Sequence, residues 1–249
     1  TGTNPVANYG MVQTIYNRIG ASAPYTYWHP VRITSVDADL ADCAAAGVIC
    51  VTAAGNDAHK VDSTTGTDYG NYYNKTVSQT TTIGSGTAGA SITGQVYYNR
   101  GGSPWSSNSI TVGSVKTAYG PEGKSFSSNT GPGVNIFAPG ESIVSAIPDG
   151  STLGVTTATY PLDNTGTYKI TKLSGTSMAS PQVSGVIACL LERNPNYTAA
   201  QVLTWINKTA TPDRLNDTGG GFTDTSSLQG APNLYLYNPY NKAFVFKIG

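Results

Sequence analysis

The run Lys172-Leu173-Ser174-Gly175-Thr176-Ser177-Met178-Ala179-Ser180-Pro181-Gln182-Val183-Ser184-Gly185 decides the fold. It reads as a strand-to-helix turn with a serine at the corner. Val183, Val186, Ile187, Leu190 and Leu191 recur at helical spacing, with Gly185 and Ala188 as small packing positions, so a buried helix starts at that serine. Asn194-Pro195 stops it. Pro181 is expected within the first turn, where N–H groups have no helical partner to lose.

A serine hydroxyl is a poor nucleophile at neutral pH, so it must be fixed beside a base and close to donors for the developing oxyanion. A helix N-terminus offers Thr176 and Ser177 unpaired N–H groups and the positive end of the helix dipole. Gly175 permits close approach and unusual dihedrals. Gly-Thr-Ser alone reads equally well as an ordinary capped helix start. The seven residues Gly175 to Pro181, however, resemble the nucleophile turn of the subtilisin-like serine proteases, or subtilases.

Upstream, Ser35 to Gly47 carries Ala38, Leu40, Ala41, Ala44 and Ala45 on a predicted helix, and Gly47 suits the left-handed position that ends one. Val48 to Ala54 is a nearly continuous apolar run, typical of a strand covered on both faces with both neighbours in place. It ends in Gly55-Asn56-Asp57, which taken alone is an ordinary turn. In subtilases a similar Ala-Ala-Gly-Asn supplies an oxyanion donor, so the resemblance assigns that role to Asn56. It also makes Ala53, Ala54 and Gly55 one wall of the substrate pocket.

Further landmarks follow in order. Ser103 to Asn108 precedes a strand at Ser109 to Val115; Ser125-Phe126-Ser127-Ser128-Asn129-Thr130-Gly131 and Ala138-Pro139-Gly140 resemble the family's Phe-Ser-Asn-x-Gly and Ala-Pro-Gly. Thr198 and Gln201 form a capping box before a helix whose buried face is Val202, Leu203 and Ile206. The resemblance covers roughly residues 35–56 and 103–236. It implies an α/β, three-layer subtilisin-like fold with a mostly parallel sheet, of which this chain supplies the later strands and the serine helix.

A triad needs a base and a carboxylate to orient it. In subtilases the Asp and His precede the Ala-Ala-Gly-Asn strand, and this chain has no matching motif there. His29, in Tyr27-Trp28-His29-Pro30, lacks the following Gly-Thr. His59 sits three residues beyond Asn56. Both are expected to be solvated loop histidines. Asp217-Thr218-Gly219 imitates the family's aspartate turn, yet it follows the serine and lacks a preceding apolar strand, so it reads as a loop. An open sheet edge would aggregate unless covered. The expectation is therefore a processed or split subtilase, incomplete without an N-terminal fragment that supplies Asp and His.

Within 249 residues the sequence reads as one catalytic domain, with an insertion at 58–102 and a strand extension at 241–249. Val61 to Tyr73 and Ala90 to Asn99 are candidate strands of the insertion, and the aromatic segment Thr1 to Val31 reads equally as contact surface or as packing against the N-terminal fragment. Lys plus Arg equals Asp plus Glu at 14 each, which leaves no footprint for nucleic acid or an anionic membrane. The longest apolar run, around Gly185 to Leu191, is too short to span a bilayer. The weakly charged composition suits secreted and virion-associated proteins alike. No leader is legible, as expected if processing removed the natural N-terminus.

Cys43, Cys50 and Cys189 are an odd count, expected as buried free thiols on two helices and a core strand. No His and Cys spacing suggests a metal site. Calcium bound through backbone carbonyls, as subtilases often bind it, leaves no sequence signature, so no metal is assigned. The chemistry requires no cofactor. Two functions stand: a serine endopeptidase acting through an acyl-enzyme on Ser177, and a structural or binding component that keeps a subtilase body without activity.

Overall fold

The computed structural model describes residues 32–75, 94–97, 99–116, 122–148, 160–161, 169–218 and 227–239. The expected strand at 241–249, the segment Thr1 to Val31 and His29 lie outside them.

Strands β1 (Val51–Ala53), β4 (Ile110–Lys116), β6 (Ile136–Pro139) and β11 (Leu234–Tyr235) form a parallel series in that spatial order. Antiparallel β10 (Thr211–Pro212) pairs with β11, and β5 (Gly123–Lys124) with the end of β4. Strand side chains alternate between faces. Ile110, Val112, Ile136 and Ala138 therefore face helix α2 (Thr176–Arg193), meeting its Ala179, Val183, Ile187 and Leu190. Val202 and Ile206 of α3 (Ala199–Thr209) complete that core, and the Thr198–Gln201 capping box fixes the start of α3. On the opposite face, Val115 and Phe137 pack with Val61, Val134, Leu215 and Leu228 from loops. This is an α/β architecture with a mostly parallel sheet, as expected.

A second sheet joins β7 (Ile143–Ile147), β8 (Tyr160–Pro161) and β9 (Lys169–Leu173), with β9 in the middle, and leads directly into the serine turn. In the insertion, β2 (Tyr72–Lys75) pairs with β3 (Gly94–Tyr97), so the ladder starts at the end of the first expected strand, runs two residues past it, and lies within the second; residues 61–71 are loop and turn. The Arg100 guanidinium lies 3.4 Å from the Tyr97 ring centroid and 4.7 Å from that of Tyr69. Arg32 Nε donates to the carbonyls of Arg100 and Gly101 while its guanidinium covers Trp105, tying the base of the insertion to the body.

Several expectations are corrected. Helix α1 (Thr34–Ala45) ends as expected at Gly47, with φ 89°, but it buries none of its residues. The 48–54 run is a strand only over 51–53, with β4 as its one neighbour among the described residues, and Val48 is 53% exposed. Cys50 is buried, and burial pushes its thiol above the ordinary value, whereas Cys43 and Cys189 are exposed. Gly185 and Ala188 are exposed too. Among the described residues β1 is paired along one edge only, α1 buries none of its residues, and this stripe of α2 is exposed. His59 is buried rather than solvated, because Asn129 and Thr130 hold its backbone beneath the loop. Pro181 is the sixth helical residue, not part of the first turn, so the Ser177 carbonyl lacks the usual i+4 donor.

Candidate active site

The parallel strands β1 and β6 end on the same side of the sheet, where α/β folds gather their ligands. The loop after β1 carries Asn56, and the loop after β6 carries Gly140. Gly175 N–H donates to Gly140 O at 2.7 Å, anchoring the serine turn to that end. Gly175 is the N-cap residue of α2 at φ 150°, a value L side chains rarely adopt.

Thr176 and Ser177 are therefore the first two residues of the helix. Alternation of direction through this turn buries Thr176 fully and leaves Ser177 exposed. Ser177 N–H belongs to the set that has no intrahelical acceptor. The arrangement presents a hydroxyl to solvent beside a free backbone donor at a positive dipole end.

Asn56, 120 residues earlier, meets this turn through its amide. Thr176 N–H donates to Asn56 Oδ1 at 2.9 Å and Thr176 Oγ1–H donates to the same oxygen at 3.1 Å. A backbone N–H can only donate, so the oxygen end of the amide is the end held. Asn56 Nδ2 is left as a donor with no partner among the described residues, 3.3 Å from where a Cβ on Gly175 would sit. Thr176 Oγ1 also accepts from Gly55 N–H at 3.1 Å, which joins the Asn56 loop to the serine turn a second time.

The sequence-predicted residues thus fall in one place. Ser177 and Asn56 flank the Gly175 turn, and Ala53, Ala54 and Gly55 lead into it from the end of β1. Ala53 is exposed and Ala54 buried, with Ala54 N–H donating to Val112 O at 2.9 Å. Among the described residues, no histidine is hydrogen-bonded to Ser177. Asp217 stays in a loop, where its Oδ1 accepts from Leu228 N–H at 2.7 Å. No group of three or more His, Cys, Asp and Glu side chains converges as a metal site among the described residues.

Sequence reasoning missed two residues. Thr176 was legible only as part of a helix start, although its adjacency to Ser177 was a signal. Asn129 is fully buried and binds the Asn56 loop from below, a contact across more than 70 residues that no local pattern announces.

Comparison with known proteins gives the family. The Subtilase family profile, peptidase S8, matches residues 23–232. The chain belongs to the subtilase family. Fervidolysin from Fervidobacterium pennivorans is 37% identical over 105 residues, 39% of this chain and 15% of that protein. The extracellular serine proteinase of Thermus sp. (strain Rt41A) is 34% identical over 132 residues, 53% of this chain and 25% of that protein. Subtilisin from Bacillus pumilus is 38% identical over 104 residues, 42% of this chain and 30% of that protein. A cold adapted subtilisin-like serine proteinase of known crystal structure is 32% identical, with a TM-score of 0.38, and the match covers 53% of this chain and 37% of that one. The chain therefore spans less than a third of the length of these three curated subtilase relatives.

Proposed function

We propose that this chain is the serine-bearing part of a subtilase-type serine endopeptidase, completed by an Asp and a His carried on an N-terminal fragment of the same precursor or an equivalent chain. One observation carries the reading: an exposed Ser177 at a helix start, beside an asparagine amide whose oxygen is already occupied and whose N–H₂ end is available. A surface without chemistry has little use for both together.

In this scheme Ser177 Oγ attacks the peptide carbonyl carbon while its proton passes to the outside His, oriented by the outside Asp. The oxyanion takes hydrogen bonds from Asn56 Nδ2–H and the Ser177 backbone N–H. Breaking the C–N bond transfers that proton to the leaving amine and leaves an ester on Ser177. Water then hydrolyses the ester, with the same His taking and returning a proton. No chemical step calls for a metal or cofactor, and structural calcium on backbone carbonyls is compatible with it. Ala53, Ala54 and Gly55 form one pocket wall for the residue before the scissile bond, the other wall coming from the fragment.

The uncovered surfaces support a large partner. Among the described residues β1 is paired on one side only, helix α1 buries none of its residues, and α2 shows Ser184, Gly185, Ala188 and Cys189 to solvent. Exposed edges of this kind are ordinarily covered. Secretion fits the scheme, since the Thermus relative is named as extracellular and no helix among the described residues is long and apolar enough to cross a membrane.

The test is labelling of the native assembly with a serine-reactive fluorophosphonate, followed by peptide mapping and fragment sequencing. Modification of Ser177, abolished by Ser177→Ala, with an Asp- and His-bearing fragment present, is the expected result. An assembly that neither labels nor contains such a fragment overturns the protease reading in favour of a structural component.

A further inference from the structure

Asn56 is held at both ends of its geometry, and the two holds come from different parts of the chain. Thr176 fixes the side-chain amide. The backbone on either side of Asn56 is fixed by one residue, Asn129. Its side-chain Nδ2–H donates to Ala54 O at 2.8 Å, and its own N–H donates to Gly55 O at 2.9 Å. Its Oδ1 accepts from Asp57 N–H at 3.1 Å and from His59 N–H at 2.8 Å. Two carbonyls before Asn56 and two N–H groups after it are thus gathered on a single side chain and its backbone. A carboxamide is the side chain that offers a donor and an acceptor on one planar group of this size.

Asn129 is itself immobilised. It is fully buried, and Ser128 Oγ, which accepts from Ser114 N–H of β4 at 2.9 Å, donates to Asn129 O at 2.9 Å. The hydrogen-bond chain therefore runs from a central strand through Ser128 and Asn129 to the Asn56 loop. Gly55 shows how close the fit is: at φ +102°, a Cβ there would lie 2.5 Å from Asn129 Nδ2.

We infer that Asn129 is a positioning residue for the oxyanion donor, acting through Asn56 and touching no reacting atom. The inference rests on the protease reading above. Preorganised donors are effective because they need no reorganisation during reaction, and displacement of such a group by about 1 Å costs on the order of a hundredfold. Asn129 supplies that rigidity from beneath, where substrate does not reach.

The test is a double-substitution cycle in the complete, partner-bound enzyme, with kcat and KM measured on a peptide substrate. Asn129→Ala is expected to lower kcat about 10- to 100-fold with KM changed by less than about threefold, since the loss is confined to the transition state. In an Asn56→Ala background the same substitution is expected to change kcat by less than about threefold, because the group it positions is gone. Equal losses in both backgrounds, or a lowered melting temperature with unchanged kcat, overturn the inference. Asn129→Asp keeps both N–H acceptors and, while protonated, a donor for Ala54 O; ionisation replaces that donor with a lone pair. Its kcat relative to the parent is expected to fall as pH rises, and a flat ratio in a folded Asn129→Asp enzyme counts against the role even if Asn129→Ala does not fold. A parent assembly with no turnover and no Ser177 labelling brings down the protease reading and this inference together. Turnover with multiplying losses brings down this inference alone.

Discussion

Replacing Thr176 by valine tests the link between the serine turn and the asparagine loop. The methyl group occupies nearly the volume of the hydroxyl at a fully buried site, so packing is retained while hydrogen bonding is lost. Two bonds disappear, one to Asn56 Oδ1 at 3.1 Å and one from Gly55 N–H at 3.1 Å. The first, one of two on that oxygen, is worth about 0.5–1.5 kcal/mol, and orphaning the Gly55 N–H adds about 1–3 kcal/mol. The sum, about 1.5–4.5 kcal/mol, corresponds to a fall in melting temperature of roughly 3–18 °C for a domain of this size. Asn56 keeps its bond from Thr176 N–H at 2.9 Å, so its amide is loosened rather than released. Fluorophosphonate labelling of Ser177 should therefore slow by about tenfold, short of the roughly hundredfold cost of full misplacement. Both quantities are measured on the native assembly, by thermal unfolding and by labelling rate. Thr176→Ser, which restores the hydroxyl, should recover both. The reasoning is refuted if Thr176→Val melts and labels like the parent, or if Thr176→Ser behaves like Thr176→Val.

Three further outcomes follow from individual contacts. Gly55→Ala forces a Cβ into a positive-φ site 2.5 Å from Asn129 Nδ2, so it should cost well over about 1 kcal/mol and slow Ser177 labelling, both measurable on one preparation. Leu190, 1% exposed in the α2 core, should lose about 2–5 kcal/mol as alanine in thermal unfolding, with the labelling rate unchanged below the transition. Burial first, and then Glu122, push the Tyr235 phenol above its ordinary value, while Arg214 acts in the opposite direction. A raised folded value means that the native state holds its proton more tightly. The associated stability is present below the ordinary phenol value of about 10 and drains away as pH rises through the folded value. Tyr235→Phe should flatten that alkaline loss in melting curves taken across the same range.

What the sequence revealed follows the range of the forces involved. Gly47 at φ 89°, the Thr198–Gln201 box and the apolar spacing of α2 are local, governed by the chain within a turn or two, and each is where the pattern places it. Ser177 and Asn56 stand out in the sequence because their neighbours carry family landmarks, and the structure brings Asn56 to the serine turn. Burial was not legible in the same way, because it depends on what arrives from elsewhere. The apolar run at 48–54 and the small positions Gly185 and Ala188 read as interior, yet among the described residues they are edge or surface. The apolar composition of these stretches is one that the described residues alone do not account for. The same reasoning explains Asn129. Ser and Asn side chains are mostly exposed in proteins, but here Ser125, Ser128, Asn129 and Thr130 are all buried. Asn129 spends its amide on the backbone around Asn56, while Ser125 and Ser128 bond Ser114 of β4 and Thr130 Oγ1 donates to Leu228 O. Buried polar groups persist where they are satisfied. A polar landmark flanked by apolar strands is therefore better read as internal scaffolding for the loop it binds than as surface, and the cycle with Asn56 decides between those two readings.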